Sequence, residues 1–219
     1  MGFPHASHST TSGGAQAPEP TDEPVPAWLR TGASPVRPPR RAELPPCKVL
    51  FVCTGNICRS PFAEAYLRAR VPPDARVQIS SAGVGAMTGQ GLDPLMAEQA
   101  RMRGVPADAH IARQVTGRDL LASDLILVFG PEHRDWIRDE TPQASRRVFA
   151  LGQVSSALYL KPPWSGLGWH QVADVVRSLR PAPDDSDWTP DPYRRGPEAA
   201  ARAAEAISSA IDVIVERVR

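Results

Sequence analysis

Lysine is almost missing from this chain: Lys48 and Lys161 are the only two among 219 residues, and arginine carries the remaining positive charge. Basic and acidic side chains nearly cancel, leaving a formal net charge of +1. That balance excludes the basic surplus with which a protein grips a phosphate backbone, so no nucleic-acid partner is expected. The lysine shortage itself reads as a high-GC coding bias. Long apolar runs are missing too. No segment approaches the roughly 18 consecutive apolar residues that a membrane span needs. The start Met1-Gly2-Phe3-Pro4-His5-Ala6 lacks the charged-then-apolar pattern of a secretory leader and the Ser or Thr that a myristoylation motif carries at position six. No membrane association is expected, and the cytoplasm is the expected location. Cysteine is scarce and confined to Cys47, Cys53 and Cys58. An odd, local set is unlike the even, dispersed set of a secreted disulfide scaffold. No second Cys or His pair stands at zinc-ligand spacing, so no metal is expected.

Residues 1–46 hold ten of the 24 prolines, together with Ser, Thr, Gly and Ala, and show no hydrophobic period. Such a segment cannot bury enough apolar surface to offset its ordering entropy. It is expected to be a disordered Pro-rich tail, with residues 47–219 forming one folded domain. Lys48 to Val52 is a short apolar run bounded by Pro46 and by Thr54-Gly55-Asn56, the pattern of a buried strand. Ser60-Pro61 predicts a helix N-cap followed by proline at the first helical position, with the helix running to Val71-Pro72-Pro73. A second strand is predicted over Val77–Ser80, a helix from Pro94 to Arg103 closed by Gly104, and a short helix from Thr116. Strands are predicted over Asp124–Phe129 and Arg147–Leu151. Residues 155–190 read as less regular, with one amphipathic helix over Trp169–Leu179. The last helix is predicted from Gly196-Pro197 to Val218, with Ile207, Ile211, Ile214, Val215 and Val218 on one face. This alternation implies an α/β fold of three layers: a parallel sheet covered by helices on both faces.

The segment Val52-Cys53-Thr54-Gly55-Asn56-Ile57-Cys58-Arg59-Ser60-Pro61 sits where the first strand ends and a helix begins. Ligands of open α/β sheets bind outside the carboxyl ends of strands. A loop entering a helix N-terminus turns backbone N–H groups inward, and the helix dipole adds positive potential. Thr54 to Arg59 therefore form a candidate anion cradle, and Gly55 and Asn56 tolerate the positive φ that curls it. Cys53 lies at its base, where a thiolate nucleophile is favoured. Arg59 can return over the loop to bind two oxygens of a phosphate bidentately. Ser60 Oγ is placed to donate to the Cys53 sulfur. A Cys-x5-Arg spacing alone is weak. With three cysteines and 23 arginines in 219 residues, chance supplies one in about 30% of such sequences. The strand before it, the Gly-Asn inside it and the Ser-Pro after it make the whole pattern far rarer.

That segment resembles the signature of the low-molecular-weight protein-tyrosine phosphatases, bacterial type: a hydrophobic strand followed by C-x-G-N-I-C-R-S-P. Ser80-Ser81-Ala82-Gly83, His110-Ile111-Ala112-Arg113-Gln114, Asp124 to Leu127 and Asp191-Pro192-Tyr193 are similar to further family segments, in the family's order. The resemblance implies four parallel strands, no cofactor, and Asn56 and Ser81 holding the loop by hydrogen bonds. It implies a phosphocysteine reaction in which Cys53 attacks, Arg59 binds phosphate, and Asp191 is general acid, chosen over Asp184, Asp185 and Asp187 by the Pro-Tyr that follows it. Chemistry asks for such an acid independently, because a phenolate leaving group needs a proton. Tyr193 and Met87 are expected at the substrate rim. Cys58, five residues from Cys53, is a candidate either for a protective disulfide or for simple packing, and Cys47 is expected to be inert.

The sequence also departs from the family pattern. Ala86-Met87-Thr88-Gly89 replaces a bulky aromatic and is similar to the bacterial subgroup linked to tyrosine kinases and polysaccharide export. A phosphotyrosine-containing protein, a bacterial tyrosine kinase among the options, is the implied partner. Phe129-Gly130-Pro131 stands where the family often has an acidic residue, Tyr193-Arg194 where many members have two aromatics, and the connection 155–186 is longer than usual. The rival reading is an arsenate reductase of the same fold using a small thiol. The thioredoxin-linked kind needs two further cysteines downstream, and none follows Cys58.

Overall fold

In the computed structural model, Gly2 and residues 44–106, 109–162 and 166–219 are described. The tail expected over 1–46 lies outside them apart from Gly2 and residues 44–46. All elements below belong to one compact unit, Arg40–Arg219.

Four strands form one sheet: β1 (Cys47–Cys53), β2 (Val77–Gly83), β3 (Leu125–Val128) and β4 (Val148–Ala150). Their order is β2-β1-β3-β4, and each adjacent pair is parallel. The expected three-layer α/β architecture is present. Because both faces are covered, the strands read as nearly continuous apolar runs without alternation; β3 is buried at all four positions. Phe51, Leu127 and Phe149 belong to one apolar cluster, whereas Leu50, Ile126 and Val148 belong to the other. Full burial of each such side chain contributes about 1.5–3 kcal/mol.

Helix α1 spans Arg59–Arg70, so the helix starts before the predicted cap. Ser60 lies inside the first turn, Cys58 takes the N-cap position, and the Ser60 hydroxyl is used elsewhere, as shown below. Strand β2 runs on through Ser81-Ala82-Gly83 because each residue pairs with β1, up to Gly83 opposite Cys53. Helix α2 (Pro94–Met102) is capped by Asp93, which accepts from Leu95 and Met96 N–H, and α3 (Gly117–Ala122) opens on a Thr116–Asp119 capping box. Helix α7 (Pro197–Arg217) buries Ile207, Ile211 and Ile214 with Val215 partly buried against them.

Two helices escape the sequence reading. Helix α4 (Pro131–Glu140) buries only His133 and Ile137, too few apolar positions to show a period. Helix α5 (Leu151–Tyr159) contains Gly152 and two serines, which weaken helix propensity. Gly152 is required by packing: a Cβ there would stand 2.7 Å from the Asp187 Cα. The long connection carries α6 (Val172–Leu179), preceded by a 3₁₀ turn at Trp169–Gln171 and followed by another at Asp185–Asp187. Among the described residues no helix is long and apolar enough to cross a membrane.

Cys47 Sγ, an Asp124 oxygen and a His170 nitrogen gather within 4.8 Å at the start of the sheet. Asp124 Oδ2 accepts from Lys48 N at 2.8 Å and His170 Nε2 donates to Pro45 O at 2.8 Å, so both serve as ties between segments. Burial, with the Asp124 charge added, pushes the Cys47 thiol up to about 12, which keeps it protonated and unreactive at neutral pH.

Candidate active site

With strand order β2-β1-β3-β4, the chain leaves β1 toward one edge and returns past it to β3. The crevice between the carboxyl ends of β1 and β3 is the switch point where ligands collect in such sheets. The loop after β1 fills it. Cys53, the last residue of β1, lines a cavity of about 140 Å³ together with Thr54, Gly55, Ile57, Cys58, Arg59, Gly85, Met87, Asp191 and Tyr193. The first N–H groups of α1 have no intrahelical acceptors and add the positive end of the helix dipole. A larger cavity, about 710 Å³, opens between α1 and the segment carrying His110. No cysteine lines it, so size does not locate the chemistry.

The loop is over-determined by hydrogen bonds. Asn56 is buried and adopts φ of +52°, a left-handed conformation that disfavours most side chains. Its own amide holds it there. Nδ2 donates to Ser60 Oγ and to Ser81 Oγ, each at 2.9 Å, and Oδ1 accepts from Arg113 N at 2.9 Å. The Asn56 carbonyl accepts from His110 Nε2 at 2.7 Å. Gly55 is not left-handed, contrary to the sequence expectation. Its missing side chain instead makes room, since a Cβ would press on Ile57 at 3.3 Å. The more demanding glycine is Gly83, where a Cβ would run into the Thr54 carbonyl and stand 3.0 Å from Asn56 N. Backbone cannot retreat cheaply, so Gly83→Ala is expected to destabilise the fold by about 1–3 kcal/mol. Denaturant unfolding reads this, and weaker protection by vanadate against Cys53 alkylation should accompany it.

Cys53 Sγ lies 2.9 Å from Ser60 Oγ. Because Asn56 Nδ2 already donates to that oxygen, the Ser60 hydroxyl hydrogen is left for the sulfur at 2.9 Å or the Ala82 carbonyl at 3.4 Å, of which the sulfur is the nearer. Cys58 is buried and free, like Cys53. Burial first, then the negative charge of Asp93, pushes the Cys58 thiol well above its ordinary range.

Arg59 is 3% exposed. Its Nη1 donates to Thr189 O at 3.2 Å and stands 4.0 Å from Glu132 Oε1; its Nη2 stands 3.3 Å from Asp191 Oδ2. Nε is buried without a protein partner. The guanidinium is thus anchored through Nη1, leaving the Nε/Nη2 edge, the fork that matches two phosphate oxygens. Asp191 Oδ1 accepts from Tyr193 N at 3.3 Å. The Arg194 guanidinium lies over the Tyr193 ring, 5.0 Å from its centroid. Of the competing aspartates, Asp187 is buried beneath Arg180, and Asp184 caps the 3₁₀ turn, its carboxyl held below the ordinary value by Ser186 hydrogen bonds. Asp191 alone of these lines the cavity.

Sequence reasoning missed Glu132 and His133. The acidic residue that seemed absent after β3 arrives two residues beyond Gly130, whose missing Cβ lets the Glu132 carboxylate fold back over it. His133 is fully buried, with Nε2 3.0 Å from Thr54 Oγ1 and 3.3 Å from Glu132 Oε1. Burial, and then the Arg59 charge, pushes it down to about 3, so it is neutral at physiological pH and the Glu132 contact is not an ion pair. His133 Nδ1 has no partner. An orphaned donor is costlier than an orphaned acceptor, which assigns the ring proton to Nε2. The unfolded chain binds this proton near 6.5 and the folded one only near 3, so His133 makes stability rise with pH across that window and contributes no pH dependence above it. The signal available was positional: Glu132-His133 follow the strand that flanks the switch point.

The family model for low molecular weight phosphotyrosine protein phosphatase matches residues 48–166. The chain belongs to this family. The probable low molecular weight protein-tyrosine-phosphatase EpsP of Ralstonia nicotianae is 32% identical to this family member over 171 residues, covering 78% of this chain and 95% of that protein. Among solved structures, the tyrosine phosphatase Wzb from Escherichia coli K30, crystallised in complex with sulphate, is 28% identical with a TM-score of 0.60, covering 77% of this chain and 96% of that one. The YwlE arginine phosphatase from Geobacillus stearothermophilus is 25% identical with a TM-score of 0.60, over 78% and 92% of the two chains. The solved structures that this chain resembles thus include phosphatases named for two phosphoamino acids.

Proposed function

We propose that the chain hydrolyses phosphotyrosine in proteins through a phosphocysteine intermediate on Cys53. The observation that carries this reading is the convergence of Cys53, Arg59 and Asp191 on one small cavity, with Ser60 Oγ against the sulfur. The Cys53 thiolate attacks phosphorus in line with the ester oxygen. As the P–O bond breaks, Asp191 gives its proton to the departing phenolate, worth typically 10²–10⁴-fold. Water then attacks phosphorus, Asp191 takes one of its protons, and the S–P bond breaks to release inorganic phosphate and the thiolate. Arg59 and the loop N–H groups hold the equatorial oxygens through both steps. Ser60 steadies the thiolate as leaving group in the second.

Ile57, Met87 and Tyr193 offer apolar walls to an aryl ring, which supports tyrosine over a guanidinium-bearing phosphoarginine that would need polar partners there. A phosphotyrosyl protein, with a bacterial tyrosine kinase as one candidate, is the proposed partner. Asp191→Asn is expected to lower kcat/KM for phenyl phosphate by about 10²-fold and to leave oxyanion binding nearly unchanged, measured by steady-state kinetics and vanadate inhibition. The purified protein, assayed with phosphotyrosyl and phosphoarginyl peptides and with arsenate plus a small thiol, should turn over the first. Arsenate turnover without ester hydrolysis would replace this reading with the reductase.

A further inference from the structure

We propose that Arg180 and Asp187 form a strut that sets the position of Asp191 over Cys53, making the long connection after α5 part of the acid machinery; the inference rests on the acid role given to Asp191 above. Asp187 carries a carboxylate with a side chain only 1% exposed. Burying a charge is costly unless it is fully paired, and apolar side chains of equal volume would stabilise a fold as well or better. This carboxylate is approached by polar groups from two segments, the 180–184 stretch and α5. Arg180 Nη2, just past the end of α6, donates to Oδ2 at 2.7 Å. Asp184 N donates to the same oxygen at 2.9 Å, and Ser156 Oγ on α5 stands 3.2 Å from Oδ1, its one hydrogen shared with the nearer Gly152 carbonyl at 2.6 Å. Arg180 is itself tied down, because its carbonyl accepts from the buried Gln153 Nε2 at 2.7 Å.

The backbone of Asp187 is seated as firmly as its side chain, since it rests on Gly152 of α5 with no room for a Cβ. Two residues later Thr189 is fixed on both sides: its N–H donates to Phe129 O at 2.9 Å and its carbonyl accepts from Arg59 Nη1. Asp191 then follows between Pro190 and Pro192. Each proline fixes its own φ near −65° and restricts the residue before it, so Thr189 and Asp191 are both constrained. A segment this stiff passes a displacement at Asp187 on to Asp191 where a flexible one would absorb it. Arg180 and Asp187 are positioning residues in this scheme, because neither lines the cavity that holds Cys53.

The readout that separates positioning from mere stability is dependence on the leaving group. Phenyl phosphate needs its departing oxygen protonated; 2,4-dinitrophenyl phosphate does not. Asp187→Asn and Arg180→Met are each expected to lower kcat/KM for phenyl phosphate about tenfold, a part of the full effect of a general acid, while kcat/KM for 2,4-dinitrophenyl phosphate stays within about twofold, as expected for an acid displaced but not removed. Ser156→Ala, which removes one donor without stranding a charge, should shift the ratio in the same direction by a smaller factor and covers the case in which the charged-pair variants do not fold. Asp191→Asn is the control. If it shows a steep leaving-group dependence while the folded strut variants keep the wild-type ratio, or lose both substrates equally, the strut is overturned and the acid stands. If Asp191→Asn shows no leaving-group dependence, the acid assignment fails and the strut falls with it.

Discussion

Cys53→Ser is expected to remove turnover of aryl phosphates almost completely, by about 10⁴-fold or more, the scale seen when a nucleophile is deleted from a unit that acts together. The substitution is nearly isosteric, so the cradle should survive it. The hydroxyl at position 53 would face Ser60 Oγ, 2.9 Å from the present sulfur, as one neutral hydroxyl against another. Nothing there removes its proton: of the two imidazoles that touch the loop, His133 is neutral and turned toward Thr54 and Glu132, and His110 is bound to the Asn56 carbonyl. Oxyanion binding should persist, because Arg59 and the loop N–H groups are untouched. The check is a pair of measurements on one protein: initial rates with p-nitrophenyl phosphate, and vanadate or tungstate affinity by calorimetry. Loss of both would mean that the sulfur shapes the cradle as well as reacting in it.

Arg59→Lys comes next in size, about 10³-fold in kcat/KM. Charge is conserved, yet three features of the guanidinium are lost together. Nη1 is committed to Thr189 O, Nη2 faces Asp191, and Nε remains for an oxygen of the substrate. An ammonium is a point charge and cannot anchor itself to the acid loop while presenting a two-pronged edge to phosphate. It would also be more strongly hydrated than guanidinium at a position 3% exposed. Both kcat and oxyanion affinity are therefore expected to fall, unlike Cys53→Ser, where only turnover does. Steady-state kinetics with vanadate inhibition on the same preparation separates the two patterns.

What was legible in the sequence was what is local in the chain. Val49 to Pro61 contains strand, cradle and helix start in one uninterrupted run, so Cys53 and Arg59 could be proposed from order and spacing, and Asp191 from the Pro-Tyr that follows it. The contacts that give those residues their geometry are non-local. Gly83 appears only as the last letter of a turn until β2 is seen to pair with β1 to its end. Glu132 and His133 sit on a helix with almost no apolar period. The Asp187–Arg180 pair lies just past the one helix predicted in an otherwise irregular stretch, where no period points to it. Ser60 was misread because Ser-Pro is a common way to begin a helix. Here the hydroxyl is drawn to sulfur and amide, and the helix begins earlier without it.

The sheet order has a last consequence, for lifetimes. β1 is paired along both edges, to β2 and to β3, so its amides should be released to hydrogen exchange only when the whole molecule opens. Cys53 ends the longer of the two strands paired on both edges. Asp191 has no strand behind it: its segment is held by the Thr189 N–H to Phe129 O bond and stiffened by the prolines on either side. Cys53 and Asp191 are therefore held in place by different means, one by a sheet and the other by a short, rigid strap.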